Sequence, residues 1–220
     1  MKITLTDAGK RFNRDWIFRH ISFTFHAGHS YAITGPNGSG KSTLLQVIGG
    51  AMLPSEGTLQ WELRANSLQA TEKGSPRAGN GQLSAENVYQ YISIAAPYLE
   101  LVEEMTTTEF LTFHQVFKPL LPGLSINEVI GLVGLKDAAH KQIRYYSSGM
   151  KQRVKLAQAI FSDTALLLLD EPCTNLDEEG IALYHELMSK YSTGRIVVVS
   201  SNDREEYTFC ETVIDLRTFK

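Results

Sequence analysis

The run Gly35-Pro36-Asn37-Gly38-Ser39-Gly40-Lys41-Ser42 sets glycines, a lysine and a hydroxyl at the spacing G-x-x-x-x-G-K-[ST]. Residue types in that order suit one task, the cradling of a polyphosphate. The glycines let successive backbone N–H groups turn inward as an anion nest, and a helix starting at the lysine adds the positive end of its dipole. Lys41 is placed to neutralise β- and γ-phosphates and so to act in catalysis as well as binding. The Ser42 hydroxyl suits Mg²⁺, and Thr43 can add a bond to the α-phosphate. The flanks agree: Tyr31-Ala32-Ile33-Thr34 reads as a strand entering the loop, and Leu44-Leu45-Gln46-Val47-Ile48 as a helix leaving it. The plain alternative is a chance glycine-rich turn. With Gly at about 7% of residues, the fixed positions coincide by luck in on the order of one chain in a hundred.

A second constellation is Ala165-Leu166-Leu167-Leu168-Leu169-Asp170-Glu171-Pro172, an apolar strand ending in two acids. Burial of the strand puts both carboxylates at its C-terminal edge, where open α/β sheets bind ligands. On its own this could be a strand ending in solvated acids before a proline. Beside a phosphate loop the acids acquire separate roles. Asp170 is placed to hold Mg²⁺, commonly through water, and Glu171 to polarise an attacking water as general base.

The elements that must position these groups follow from periodicity. Lys2–Thr6, Trp16–Phe25, His29–Thr34, Thr58–Leu63 and Val88–Ile94 read as strands, and Arg64–Ser84 as a long exposed loop rich in Gly and Pro. Phe110, Phe113, Val116 and Phe117, then Ile126, Val129, Ile130 and Val133, recur at helical spacing. Two continuous apolar strands, Ala165–Leu169 and Ile196–Val199, flank a helix over Glu178–Tyr191, and a last strand spans Thr212–Leu216. Apolar runs of that kind belong to a parallel sheet covered on both faces. The fold class expected is α/β: a mostly parallel sheet core at 1–96 and 154–220, an antiparallel β region near the front, and an inserted helical subdomain at about 97–153.

Bulk properties narrow the class. The chain has 220 residues, 43% of them hydrophobic, enough for one domain with a sizeable core. A net charge of −3 gives no general attraction to nucleic acid, and none is expected as a partner. Cys173 and Cys210 are too few for a disulfide framework and fit reduced thiols in a cytoplasmic protein. The N-terminus lacks the apolar stretch of a signal peptide, and no apolar run approaches the roughly 20 residues that span a bilayer.

Tyr146-Ser147-Ser148-Gly149-Met150-Lys151-Gln152-Arg153, ahead of the carboxylate strand, resembles the L-S-G-G-Q signature of the ATP-binding cassette (ABC) family, which runs on into Q-R and an apolar helix. Ser147 stands like an N-cap and Gly149 lets backbone N–H groups approach an anion. Tyr146, Ser148 and Met150 depart from the family's Leu, Gly and Gln, so Ser147 and Gly149 are the residues carried over. Thr174-Asn175-Leu176-Asp177 is similar to the family's D-loop, with Asp177 as its acid, and Ser200-Ser201-Asn202-Asp203 to its switch segment. Phe12, with Trp16 as a second candidate, stands where the family has an aromatic that stacks on adenine.

The resemblance implies a P-loop NTPase that binds ATP with Mg²⁺ and hydrolyses it, with Lys41, Glu171 and Asn202 in the catalytic set. It implies a dimer with a second ABC subunit, since each ATP meets the signature of the opposite subunit. It also implies integral membrane permease subunits as separate chains, and a peripheral place on the cytoplasmic face of the membrane. With the last strand so near the end, no C-terminal regulatory domain is expected. Asn202 replaces the family's switch histidine and cannot become cationic. The Q-loop glutamine is replaced within Ile94-Ala95-Ala96-Pro97-Tyr98-Leu99. Two alternatives stay open: a soluble cassette ATPase without a transport role, and a nucleotide-binding regulatory subunit of weak turnover. No N-K-x-D segment reads guanine, which argues against a GTPase.

Overall fold

The computed structural model describes residues 1–63 and 81–219. Strands β1 (Lys2–Phe12), β2 (Asp15–His26), β4 (Glu56–Leu63) and β5 (Gly81–Leu83) form an antiparallel sheet in the order β2-β1-β4-β5. Strands β3 (Ser30–Thr34), β6 (Ile92–Ala95), β7 (Leu166–Asp170), β8 (Ile196–Ser200) and β9 (Thr212–Asp215) form a second sheet in the order β6-β7-β8-β3-β9, with every described pairing parallel. The fold is the α/β P-loop NTPase fold with an antiparallel β region and added helices.

The two apolar strands show why a parallel sheet forms. Every residue of β7 and β8 is buried. Leu166, Leu168, Ile196 and Val198 point to the face covered by α1 (Lys41–Ile48) and the antiparallel sheet. Leu167, Leu169, Val197 and Val199 point to the other face, against α3 (Thr107–Phe117), α4 (Ile126–Leu132), α5 (Ser148–Ile160) and α6 (Glu178–Tyr191). The period-two alternation thus feeds two cores at once, and β-branched and leucine side chains suit both.

Three expectations change. Val88–Ile94 is not one strand: Ala85–Val88 forms a short helix, α2, Tyr89–Tyr91 a 3-10 turn, and only Ile92–Ala95 joins the sheet. The Ser84 carbonyl accepts from the N–H groups of Asn87 and Val88, which winds the backbone before the strand can begin. Of the expected loop Arg64–Ser84, residues 64–80 lie outside the described residues. Gly81–Leu83 is a strand paired with β4, because Leu83 pairs with Trp61 against the core. In α3 only part of the apolar period is buried. Phe110 is 7% exposed, whereas Phe113, Val116 and Phe117 are 51, 75 and 67% exposed.

Capping boxes start α3, at Thr106 with Glu109, and α4, at Ser125 with Glu128. The far end of α5 is tied to the sheet by Arg195. Its guanidinium donates to the Ile160 carbonyl at 2.7 Å and to Thr164 Oγ1 and Ser93 Oγ at 2.6 and 2.8 Å. Burial pulls its pKa down to about 10. A cation at the C-terminal end of a helix complements the dipole there, and this anchor fixes the helix whose other end begins at Ser147.

Candidate nucleotide site

The loop from Gly35 to Gly40 joins β3 to α1 with positive φ at Gly35, Gly38 and Gly40 (145, 77 and 101°). At Gly40 glycine is required twice over. An L side chain would be strained at that φ, and its Cβ would lie 2.2 Å from Ile17 Cγ2. A Cβ on Gly35 would meet Ser39 Oγ at 2.7 Å. Ser39 Oγ is buried and has no hydrogen-bond partner among the described residues. Lys41 is 6% exposed, and its ammonium donates to the Gly35 carbonyl at 2.8 Å, folding back over the loop. Gly38, Gly40, Lys41, Ser42 and Thr43 line a cavity of about 320 Å³ together with Asn37, Ile17 and Glu171. The phosphate loop and the second acid therefore share one cavity, which sequence spacing alone could not show.

The carboxylates differ in setting. Asp170, 3% exposed, ends β7 and accepts from Ser200 Oγ at 2.6 Å. The contact of Ser200 with Asp170 comes from the register, since β7 and β8 pair the two residues. Glu171 leaves the strand at φ 44°, and its N–H donates to the Ser200 carbonyl at 2.9 Å. Asn202 lies beside the loop: its Nδ2 donates to Asn37 Oδ1 at 3.0 Å, and its Oδ1 accepts from the Gly35 N–H at 3.3 Å. The 200–202 segment thus meets both the loop and the acids.

Ser147 is the N-cap of α5, accepting from the Met150 N–H at 3.3 Å. Tyr146 is buried, and its hydroxyl accepts from Thr107 Oγ1 at 2.7 Å and donates to the Ala138 carbonyl at 2.6 Å. A tyrosine in place of the family's leucine is therefore bonded into the helices around it. Gly149 abuts the chain after Glu171: a Cβ there would lie 2.9 Å from the Asn175 carbonyl oxygen. Asp177 caps α6 through Gly180 N–H at 2.8 Å, with Arg153 at 3.5 Å from its carboxylate. Neither Ser147, Gly149 nor Asp177 is among the residues lining the loop cavity.

The ABC transporter family profile matches residues 18–174, which takes in the loop, the Ser147 helix and the paired acids. The chain belongs to the ABC transporter family. It is similar to the cytochrome c biogenesis ATP-binding export protein CcmA of Rhizobium meliloti (strain 1021), at 32% identity over 92% of this chain and 91% of the relative. An uncharacterized ABC transporter ATP-binding protein of Bacillus subtilis (strain 168), YybJ, is 28% identical over 97% of this chain and 92% of its own. Among solved structures, an ABC transporter ATP-binding protein from Pyrococcus furiosus superposes with a TM-score of 0.78 at 19% identity, covering 100% of both chains. The ATP-binding cassette MJ0796, bound to ADP and Pi, gives 0.77 at 23% identity over 97% of this chain and 93% of that one. At those identities the structures speak for the fold. The chain is an ATP-binding, ATP-hydrolysing cassette.

Neither aromatic expected at the adenine lines the cavity. Phe12 is 44% exposed at the end of β1 and outside the cavity lining, where Ile17 of β2 stands instead. Trp16 is engaged by two cations, with Arg19 and Arg11 at 4.2 and 5.5 Å from its ring centroid. In the stretch that lacks the Q-loop glutamine, Tyr98 is 47% exposed, and the partial burial of its ring end raises its hydroxyl above the ordinary range. A hydrogen bond to Gln46 of α1 opposes that rise, and the nearby Asp170 carboxylate reinforces it.

Proposed function

We propose that this cassette is the ATP-hydrolysing subunit of a transporter whose membrane-spanning parts are separate chains, acting as a dimer on the cytoplasmic face of the membrane. The observation that carries the reading is the shared cavity: loop glycines, Lys41, Ser42, Thr43 and Glu171 around one space. Among the described residues no helix is long and apolar enough to cross a membrane, so the reading assigns the crossing to partner chains. The name of the CcmA relatives makes export the direction to test first. The same reading divides the chain into a core at 1–96 and 154–220 and a helical subdomain at about 97–153, with α5 crossing the second boundary.

Within the cavity, Lys41 turns its ammonium from the Gly35 carbonyl toward the β- and γ-phosphates. The nest N–H groups bind phosphate oxygens. The Ser42 hydroxyl and Asp170 carboxylate are hard oxygen donors that fit Mg²⁺, with Ser200 orienting the carboxylate. When bound, Mg²⁺ would neutralise charge between the phosphates. Glu171 orients and deprotonates the attacking water, and Asn202 offers its amide to the γ-phosphate. Ser147 and Gly149 serve the ATP of the second subunit, with Asp177 in the loop that meets its counterpart. Phe12, exposed at the end of β1, is the aromatic assigned to the adenine.

Purification of the tagged chain from detergent-solubilised membranes tests the setting. A multi-span membrane protein retained with it supports the transporter reading; soluble partners alone would favour the non-transport cassette ATPase. Asn202 favours a second reading, a nucleotide-binding subunit of weak turnover, which single-turnover hydrolysis separates from an efficient enzyme.

A further inference from the structure

The peptide group joining Pro172 to Cys173, next after Glu171, is held at both of its polar atoms. Its carbonyl oxygen accepts from Gln152 Nε2 at 2.7 Å, and its N–H donates to Glu206 Oε1, also at 2.7 Å. Gln152 lies on α5, one turn beyond Ser147 and Gly149. Glu206 lies on the 3-10 turn Arg204–Tyr207 that follows Asn202. Both side chains are buried, each 4% exposed. One planar, rigid unit therefore links the start of the signature helix to the segment that touches the phosphate loop.

The arrangement is expensive for Glu206. Its Oε2 is buried with no hydrogen-bond partner among the described residues. Burial of a carboxylate with one oxygen left unbonded is unfavourable, and hydrogen bonding from the Ser201 hydroxyl offsets only part of it. The backbone of Glu206 is anchored independently, since its carbonyl accepts from the Tyr184 hydroxyl at 2.9 Å. The side chain is thus spared from holding its own turn in place.

Glu171 gives the grip a purpose. It stands at φ 44°, in the left-handed region that a non-glycine residue adopts only under constraint. It also precedes a proline, whose ring fixes the next φ and restricts the residue before it. With Pro172 stiff, the orientation of the Pro172–Cys173 peptide and that of Glu171 are tied together.

We propose that Gln152 and Glu206 are positioning residues for ATP hydrolysis, gripping one peptide from opposite sides so that the signature helix and the Asn202 segment set Glu171 jointly. The proposal rests on the assignment of Glu171 as general base. Neither residue touches ATP; both act through the peptide.

The test measures steady-state phosphate release, ATP KM and melting temperature for Gln152→Met, Glu206→Met, Glu206→Gln and the double Met variant. Loss of either grip is expected to lower kcat about ten- to a hundredfold, as small misplacements of a catalytic group do. KM should hold within about twofold, because the phosphate loop is untouched. Glu206→Gln keeps an oxygen for the Cys173 N–H and should recover most of the rate. The double variant should fall within about threefold of the worse single one, since both act on the same peptide. Losses that multiply, or folded single variants with wild-type kcat and only a lower melting temperature, overturn the proposal. Should Glu206→Met not fold, wild-type kcat in Gln152→Met overturns it, and a lowered kcat at constant KM, with Glu206→Gln near wild type, upholds it. Glu171→Gln, run alongside, separates the two levels. If it hydrolyses at full rate, the general-base assignment fails; if it is inactive while the grip variants run at full rate, only the grip fails.

Discussion

The side-chain amides of Asn202 and Asn37 face each other, Nδ2 to Oδ1 at 3.0 Å, while Asn202 Oδ1 takes the Gly35 N–H at 3.3 Å. A residue far along the chain therefore closes on the first and third residues of the phosphate loop. An amide can donate and accept at once, and this one does both. To serve a γ-phosphate, Nδ2 must exchange Asn37 for a phosphate oxygen.

That exchange predicts a slow enzyme. A neutral N–H donor gives roughly half the hydrogen-bond strength of a charged one, and loss of one preorganised donor costs about 10²–10³ in turnover. Asparagine keeps part of the contact. Asn202→Ala should thus lower kcat on the order of tenfold, and Asn202→His should raise it. Phosphate release at saturating Mg·ATP and matched dimer content measures both. An alanine variant as fast as wild type would remove Asn202 from the catalytic set.

Lys41→Ala should weaken Mg·ATP binding by about a hundredfold, the loss of two charge-assisted hydrogen bonds at roughly 1.5 kcal/mol each. The fold should survive, because among the described residues the ammonium bonds the loop carbonyls of Gly35 and Pro36 beside the cavity. Titration with a fluorescent ATP analogue and a melting curve report the two quantities. Unchanged affinity would reject the role given to Lys41.

Glu171→Gln should trap ATP. Glutamine keeps the shape and the backbone bond to Ser200 but cannot take a proton from water. An ATP-dependent dimer should accumulate, seen as a doubled mass by size-exclusion chromatography with light scattering. Hydrolysis at the wild-type rate would refute the base assignment.

The phosphate loop was legible because its chemistry is local: spacing, a strand before and a helix after suffice. β7 and β8 were legible because burial on both faces leaves an unbroken apolar run in each, 166–169 and 196–199, with a polar residue only at the last position. The 85–95 stretch misled, since Val88, Ile92 and Ala95 are all buried whether the backbone between them is helical or extended, and local bonds to the Ser84 carbonyl decided. Ser200, Gln152 and Glu206 bond partners 20 to 33 residues away, so a local motif shows their residue types but not those contacts. Ile17 was hidden for another reason: an aliphatic residue in a strand reads as core until Gly40 is found packed on it.

The last prediction concerns pH and the buried Glu206. Burial raises its folded pKa above the ordinary 4.5, working against hydrogen bonding from the Ser201 hydroxyl and the Cys173 N–H; the carboxylates of Asp203 and Glu171 add to the rise. Between the ordinary and the raised value, the folded chain holds a proton that the unfolded chain has released. Stability from this group is therefore present at low pH and falls as pH rises through that window. Asp203 and Glu171 are acidic, so neither offsets the loss. Glu206→Gln removes the titration while keeping an acceptor for the Cys173 N–H. The melting temperature of the variant minus that of wild type should accordingly be more positive at pH 8 than at pH 5. Other titrating groups are common to both proteins and largely cancel in the difference. Calorimetry at the two pH values measures it. A difference independent of pH would mean that Glu206 keeps its ordinary pKa in the folded chain, and that water reaches the oxygen left without a partner here.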